Sequence, residues 1–173
     1  MCQKFIPDFY AKDIFNINYD KLKNNNVKCL LFDLDNTLSP AKDVILSSEV
    51  KELFDRLKKD FKIIIFSNNS HKRVLKFGTF YDVDIASLSL KPIFYKYLYI
   101  IRKYGYKKGE IAAIGDQLLT DILGGNKVGI TTILIDPICQ EDEKITFINR
   151  KIEKRLFKHF KKKKILTKGN YYD

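Results

Sequence analysis

Val27-Lys28-Cys29-Leu30-Leu31-Phe32-Asp33-Leu34-Asp35-Asn36-Thr37 decides the fold. A compact apolar run that ends in acid is how a strand reads when a parallel sheet buries both its faces. The pattern recurs downstream. Phe61–Phe66 runs into Ser67-Asn68-Asn69, a short strand is predicted near Asp84–Ala86, Glu110–Ile114 breaks at Gly115-Asp116, and Gly129–Ile135 is a last strand. Helical spacing fills the gaps. Ser47–Lys59 carries Val50, Phe54 and Leu57 with Ser47 or Ser48 as N-cap, Ser70–Phe77 follows, and Pro92–Tyr104 sets Phe94, Leu98 and Ile101 on one face. Leu118–Leu123 starts a further helix that Gly124-Gly125-Asn126 are expected to end. Residues 1–26 read as one or two short helices closed by a turn at Asn24-Asn25-Asn26. The alternation predicts an α/β fold around a central parallel sheet.

Composition bounds the rest. With 173 residues, 45% of them hydrophobic, the chain is sized for one domain with a real core. Charged residues at 31% and aromatics at 13% exclude a disordered chain. No apolar run approaches the ~18–20 residues that span a bilayer. Met1–Pro7 lacks the apolar stretch of a signal peptide, so a cytoplasmic protein is expected. Cys2, Cys29 and Cys139 are far apart and odd in number, and read as reduced thiols. The net charge of +11 is uneven: residues 1–149 hold 22 Lys and Arg against 19 Asp and Glu, residues 150–173 hold 10 against 2. Such a block either attracts a polyanion, whether anionic membrane or nucleic acid, or is a solvated face.

In parallel α/β sheets the site lies outside the carboxyl ends of the strands, at a topological switch point. Asp33, Ser67 and Asp116 fall at such ends. Positions i and i+2 of an extended chain face the same way, so Asp33 and Asp35 can project into one pocket. Two carboxylates so close repel unless a cation lies between them or one keeps a proton. Both remedies suit phosphoryl transfer. Mg2+ binds through a few carboxylates plus substrate phosphate. An Asp carboxylate can be the nucleophile while its neighbour protonates the leaving oxygen and then activates water. Alone, an Asp-x-Asp is equally a loop or a helix cap; its partners give it force. Asp116 and Asp121 can complete a metal's oxygen shell, Ser67 offers a hydroxyl beside backbone N–H groups, and Lys91 brings positive charge.

In order, Asp33-Leu34-Asp35-Asn36-Thr37, Ser67-Asn68-Asn69, Lys91-Pro92 and Gly115-Asp116-Gln117-Leu118-Leu119-Thr120-Asp121 resemble the four motifs of the haloacid dehalogenase (HAD) superfamily. The chain is more closely similar to the YqeG family of HAD-IIIA phosphatases, itself similar to the mitochondrial phosphatidylglycerophosphatases. Phe5-Ile6-Pro7-Asp8, Arg73-Val74, Gly115–Asn126 and Asn149-Arg150 before Glu153 carry that likeness. The resemblance implies a HAD-like Rossmannoid three-layer fold with a central parallel sheet. It would occupy residues 1–149, with an N-terminal helical segment over 1–26, and a basic C-terminal helix or tail over 150–173. It implies Asp33 as nucleophile, Asp35 as general acid/base, and Asn36, Ser67, Asn68 and Lys91 as phosphate-binding residues. It further implies Mg2+ held by Asp33, the Asp35 backbone carbonyl and Asp116, with Asp121 either on the metal or supporting a ligand. An acid at Asp35 points to a phosphatase, because the dehalogenases lack it. Ser39-Pro40-Ala41-Lys42 and Ser87–Leu90 depart from the family pattern without touching a catalytic position.

Leu38–Phe66 must hold a loop, a helix and a strand, and Asn68–Leu90 a helix and a strand, so no large cap domain fits. An uncapped site admits a phospholipid head group or a macromolecular phosphate; a small metabolite stays open if an oligomer partner closes the pocket. Ile145, Ile148, Ile152, Leu156 and Phe160 recur at three and four residues among Lys and Arg. That basic amphipathic helix can lie on an anionic membrane through residues 150–168, or pack its stripe on the body. His71 and His159 are read without a catalytic role. The expected function is a Mg2+-dependent phosphomonoester hydrolase that acts through an aspartyl-phosphate. Its expected substrate is phosphatidylglycerophosphate, at the inner membrane face. The alternatives are a phosphatase for nucleotide, sugar or nucleic-acid phosphates, and a nucleic-acid- or ribosome-binding protein led by the basic tail.

Overall fold

The computed structural model describes residues 3–41, 43–139 and 146–173. Its sheet comprises β1 (Phe9–Ala11), β2 (Cys29–Phe32), β3 (Lys62–Phe66), β4 (Asp84–Ala86), β5 (Ile111–Gly115) and β6 (Thr131–Ile135). The order is β1-β6-β5-β2-β3-β4, and every neighbouring pair is parallel. From β2 the chain steps outward through β3 and β4, then crosses back to β5 on the other flank. The switch point therefore lies between β2 and β5. There Phe32 stands beside Ile114, and the Asp33 N–H donates to the Ile114 carbonyl at 2.8 Å.

The apolar runs dictate the layers. Leu30 and Phe32 of β2 face one core, shared with α1 (Tyr19–Asn24), α2 (Ser48–Leu57) and α3 (His71–Tyr81). Cys29 and Leu31 face the other, shared with α4 (Tyr95–Tyr104) and α5 (Leu123–Val128). With both faces buried, the strand has no polar alternation to show. The last helix, α6 (Thr146–Lys162), extends the second layer, where Phe160 and Leu166 cover Tyr10, Leu118, Ile122 and Leu134. The result is the expected three-layer α/β architecture. Among the described residues, β2 and β3 are separated only by α2 and its loops, and β3 and α4 only by α3 and β4, so these show no large cap over the strand ends. No helix among the described residues is long and apolar enough to cross a membrane.

Four local expectations change. The first 26 residues supply a strand as well as helical turns, since β1 extends the sheet beside β6. Its outer edge is covered by the end of the chain: Tyr10 and Tyr172 exchange backbone hydrogen bonds of 2.7 and 2.8 Å. Such cover blocks pairing with another chain. Gly124 and Gly125 do not stop their helix, which runs to Val128 and is capped by Gly129 at φ +81°. They are glycines because neighbours leave no room: a Cβ would come within 2.9 Å of the Tyr97 ring at Gly124 and 2.5 Å of Thr132 Cγ2 at Gly125. The helix expected from Pro92 begins only at Tyr95, leaving a long loop after β4. On α6, Phe160 is buried and Leu156 half-buried, but Ile152 faces water and Glu153 is buried in its place. The packed face is thus rotated from the predicted stripe; Ile145 and the side chain of Ile148 lie outside the described residues.

Candidate active site

Three buried carboxylates meet at the switch point. Asp33, Asp116 and Asp121 each place an oxygen within 4.8 Å of the others. Asp33 follows β2 and Asp116 follows β5, while Asp121 sits on a π-helical turn, Leu118–Ile122, that leads into α5. Gly115 makes the last placement possible, because a Cβ there would overlap the Asp121 carboxyl group. Gly115→Ala is therefore expected to displace Asp121, costing about 1–3 kcal/mol of stability and most of the turnover. A thermal melt read beside an activity assay checks both.

Two cations answer the acids. Lys91, 7% exposed, donates from Nζ to Asp33 Oδ1 and, at 2.6 Å, to Asp121 Oδ1. Asp121 Oδ2 accepts from the Gln117 N–H and the Thr120 hydroxyl, both at 3.2 Å. Arg150 of α6 donates to Asp116 Oδ2, to the Asp116 carbonyl at 3.3 Å and to Glu153 at 3.1 Å. Glu153 in turn accepts from the Leu119 N–H at 3.2 Å. Burial pushes the Asp33 carboxyl up to about 7, with Lys91 opposing and Asp121 adding to the rise. Burial likewise raises Asp116 well above the usual carboxylate range, against the pull of Arg150. For Lys91 burial works downward, but Asp121 and Asp33 override it and hold the ammonium charged.

One oxygen is left over. Asp116 Oδ1 is buried and accepts no hydrogen bond from the described residues. A buried carboxylate oxygen without a donor is costly, and a set of carboxylate oxygens is what a hard divalent cation takes. The cluster fits Mg2+ on that ground.

Asp35 stands apart from the cluster. Its Oδ1 accepts from Arg73 at 2.9 Å and its Oδ2 from Asn69 Nδ2 at 2.9 Å. The same Arg73 nitrogen donates to the carbonyls of Pro40 at 3.2 Å and of Ala41 and Asp43 at 2.9 Å, so it ties Asp35 to the loop after β2. Asn36 takes a positive φ of 61°, a conformation that asparagine tolerates. Its side-chain Oδ1 accepts from Cys139 Sγ at 3.0 Å. Ser67 is buried at the end of β3, where its Oγ accepts from the Asn69 N–H at 3.2 Å. Asn68 serves the Lys91 loop. Its Oδ1 accepts from the Lys91 N–H at 2.7 Å and from Ser89 Oγ at 2.9 Å, and its Nδ2 donates to the Lys91 carbonyl at 3.1 Å.

The structure thus brings Asp33, Asp116, Asp121 and Lys91 together, and gives the Asp35, Asn36 and Asn68 side chains other partners. His71 is exposed, with Nδ1 3.2 Å from Ser87 Oγ. Sequence reading assigned no role to Arg73, Arg150 or Glu153. Arg150 and Glu153 stood out in the family likeness but without a role; by charge alone they read as an i,i+3 pair inside the basic tail.

Known proteins resemble this chain in sequence and in fold. Residues 90–137 match the HAD-hydrolase-like family model, and residues 2–76 match the model for mitochondrial PGP phosphatase. The chain is 38% identical to "Probable phosphatase YqeG" of Bacillus subtilis, over 92% of this chain and 93% of that protein. It is 26% identical to phosphatidylglycerophosphate phosphatase 1, chloroplastic/mitochondrial, of Arabidopsis thaliana, over 88% of this chain but only 46% of that longer protein. Among solved structures, the fold matches an uncharacterized protein from Listeria monocytogenes serotype 4b, with a TM-score of 0.56 at 21% identity, covering 68% of this chain and 84% of that one. It also matches magnesium-bound YfnB of Bacillus subtilis, described as a HAD-hydrolase, with a TM-score of 0.52 at 16% identity, covering 69% and 91%. Fold, strand-end chemistry and relatives define a HAD-type phosphatase. Within that class, the chain belongs to the YqeG family.

Proposed function

We propose that the chain is a Mg2+-dependent phosphomonoester hydrolase whose substrate is phosphatidylglycerophosphate, met at the inner face of the cytoplasmic membrane. The observation that carries the chemistry is the buried trio Asp33, Asp116 and Asp121, with Lys91 on two of its members and Asp116 Oδ1 unpartnered. The Arabidopsis relative and the uncapped strand ends support the lipid substrate.

Asp33 is the nucleophile in this reading. Its carboxylate oxygen bonds to phosphorus as the bond to the leaving oxygen breaks, and Asp35 gives that oxygen its proton. Water then attacks the aspartyl-phosphate, Asp35 takes a proton from it, and inorganic phosphate leaves with Asp33 restored. Arg73 and Asn69 fix where the Asp35 carboxyl stands between these duties. Lys91 and the Ser67 hydroxyl bind phosphoryl oxygens, Asn68 positions Lys91, and Asn36 shapes the loop that carries the two acids. The residues that would hold Mg2+ are Asp33, the Asp35 carbonyl and Asp116, backed by Asp121; the ion would neutralise charge on the phosphoryl group and keep Asp33 ionised.

The test is phosphate release from phosphatidylglycerophosphate in mixed micelles, with Mg2+ and then with chelator, beside a generic aryl phosphate. Mg2+-dependent turnover of the lipid well above the aryl ester is expected. Turnover of the aryl ester alone would discard the lipid and keep the chemistry.

A pH signature accompanies the metal. With its carboxyl raised to about 7, folded metal-free protein holds a proton on Asp33 that the unfolded chain has lost above about 4. Asp33's own contribution to stability in chelator is then fully present below about pH 4 and is lost as pH rises through about 7. Mg2+ competes with that proton, so the rise in melting temperature on adding Mg2+ is expected to be larger at pH 8 than at pH 5.5. Equal shifts at both would count against Asp33 as a ligand.

A further inference from the structure

We propose that the loop between β4 and α4 is the surface by which this chain docks on an anionic phospholipid bilayer. The proposal rests on the lipid-substrate reading and names the surface that brings that lipid to the site. Along this loop inward and outward residues alternate. Ser89 and Lys91 are 1% and 7% exposed, whereas Leu88 and Leu90 are 57% and 64% exposed. Ile93, Phe94 and Tyr95 follow, all facing water, so five large apolar side chains are exposed within eight residues. On the same carboxyl edge of the sheet, Val44, Ile45 and Leu46 of the β2–α2 loop are exposed as well.

Both leucines sit at positive φ, +48° and +53°, a conformation that non-glycine residues adopt at a cost. The backbone is pinned there by its duty to Lys91. Leu88 N–H donates to the Asn69 carbonyl at 3.1 Å, Ser89 N–H donates to the Ser67 carbonyl at 3.0 Å, and Asn68 grips Lys91 on both sides. Delivery of Lys91 explains the backbone path but not leucine at the outward positions, where asparagine or glycine would relieve strain and suit water. An apolar medium outside the protein explains leucine.

The surrounding charge selects the occupant. The stretches nearest the tip, Ser67–Lys76 and Ile85–Tyr99, contain no Asp or Glu. They carry Lys72, Lys76 and Lys96, besides Arg73 and Lys91, which are paired with Asp35 and with Asp33 and Asp121. The two stretches touch where His71 Nδ1 lies 3.2 Å from Ser87 Oγ. An apolar tip beside these cations matches an anionic membrane, whose head groups take the cations while the acyl boundary takes the leucines. Because the tip flanks Lys91, docking sets the carboxylate cluster beside the head groups.

The experiment is flotation of the full chain with phosphatidylglycerol–phosphatidylcholine vesicles and with phosphatidylcholine alone, neither carrying substrate. Binding to the anionic vesicles is expected to fall about tenfold in Leu88→Asn/Leu90→Asn, with aryl-phosphate turnover kept and no drop in melting temperature. Ile93→Ser/Tyr95→Ser should lose binding similarly from positions without backbone strain. The proposal is overturned if the unaltered chain ignores anionic vesicles, or if either variant floats as well as it does. It is also overturned if the substitutions instead break a dimer that forms without lipid. A chain that floats yet leaves phosphatidylglycerophosphate intact sinks only the substrate. One that hydrolyses the lipid in micelles yet ignores vesicles sinks only the docking surface.

Discussion

Asp33→Asn is expected to lower kcat by about 10,000-fold or more while the protein melts no lower than the unaltered chain. The amide keeps the shape of the carboxyl group but cannot attack phosphorus, so the loss should be the same on the lipid and on an aryl phosphate. Stability should hold because the carboxylate is not at ease where it stands. Burial opposes its charge, Asp121 adds to that opposition, and only Lys91 relieves it. In the variant Lys91 retains Asp121 at 2.6 Å, and the buried negative charge falls by one. Activity above about 1% of the original, in protein free of deamidation back to Asp, would remove Asp33 from the nucleophile's role.

The parts of this site that sequence revealed share a physical reason. Asp33, Ser67 and Asp116 each end a strand buried on both faces, and such strands announce themselves as unbroken apolar runs. Their polar ends are therefore visible without any knowledge of packing. Lys91 was visible because a lone cation precedes Pro92 after an uncharged stretch. Arg150 was not, because its meaning depends on which face of α6 turns inward. The periodic isoleucines suggested one face, while the fold buried another, with Glu153 and Arg150 set against Asp116. Strand β1 escaped for a different reason: three residues carry too little periodicity, and their partners are distant in the chain, Ile133–Ile135 on one edge and Tyr172 on the other. Gly124-Gly125 misled because glycine signals a helix end and a close contact alike; only the positions of Tyr97 and Thr132 separate the two. The basic tail supplies a residue to the site and a cover for the sheet edge. Deleting residues 150–173 would therefore remove Arg150 and Glu153 and uncover Tyr10 and Leu134, so it is a poor probe of membrane binding.

Lys91→Met should be the most destabilising single change at the site. Methionine fills much of the same volume, but it leaves Asp33 and Asp121 buried together with no cation between them. Removing one partner from a buried pair costs about 3–5 kcal/mol, which for a chain of this size is a drop of roughly 6–20 °C in melting temperature. Turnover should fall with it, since the phosphoryl oxygens lose their nearest fixed positive charge. Two further measurements separate this account from loss of packing. Adding Asp121→Asn to Lys91→Met should recover part of the melting temperature and none of the turnover, because it removes the repulsion without restoring the cation. Added Mg2+ should raise the melting temperature of Lys91→Met more than that of the unaltered chain, since the ion then supplies the only strong positive charge facing Asp33. If the double variant melts no higher than Lys91→Met, and Mg2+ shifts both proteins equally, then Lys91 acts through its packing against Phe66 and not through its charge.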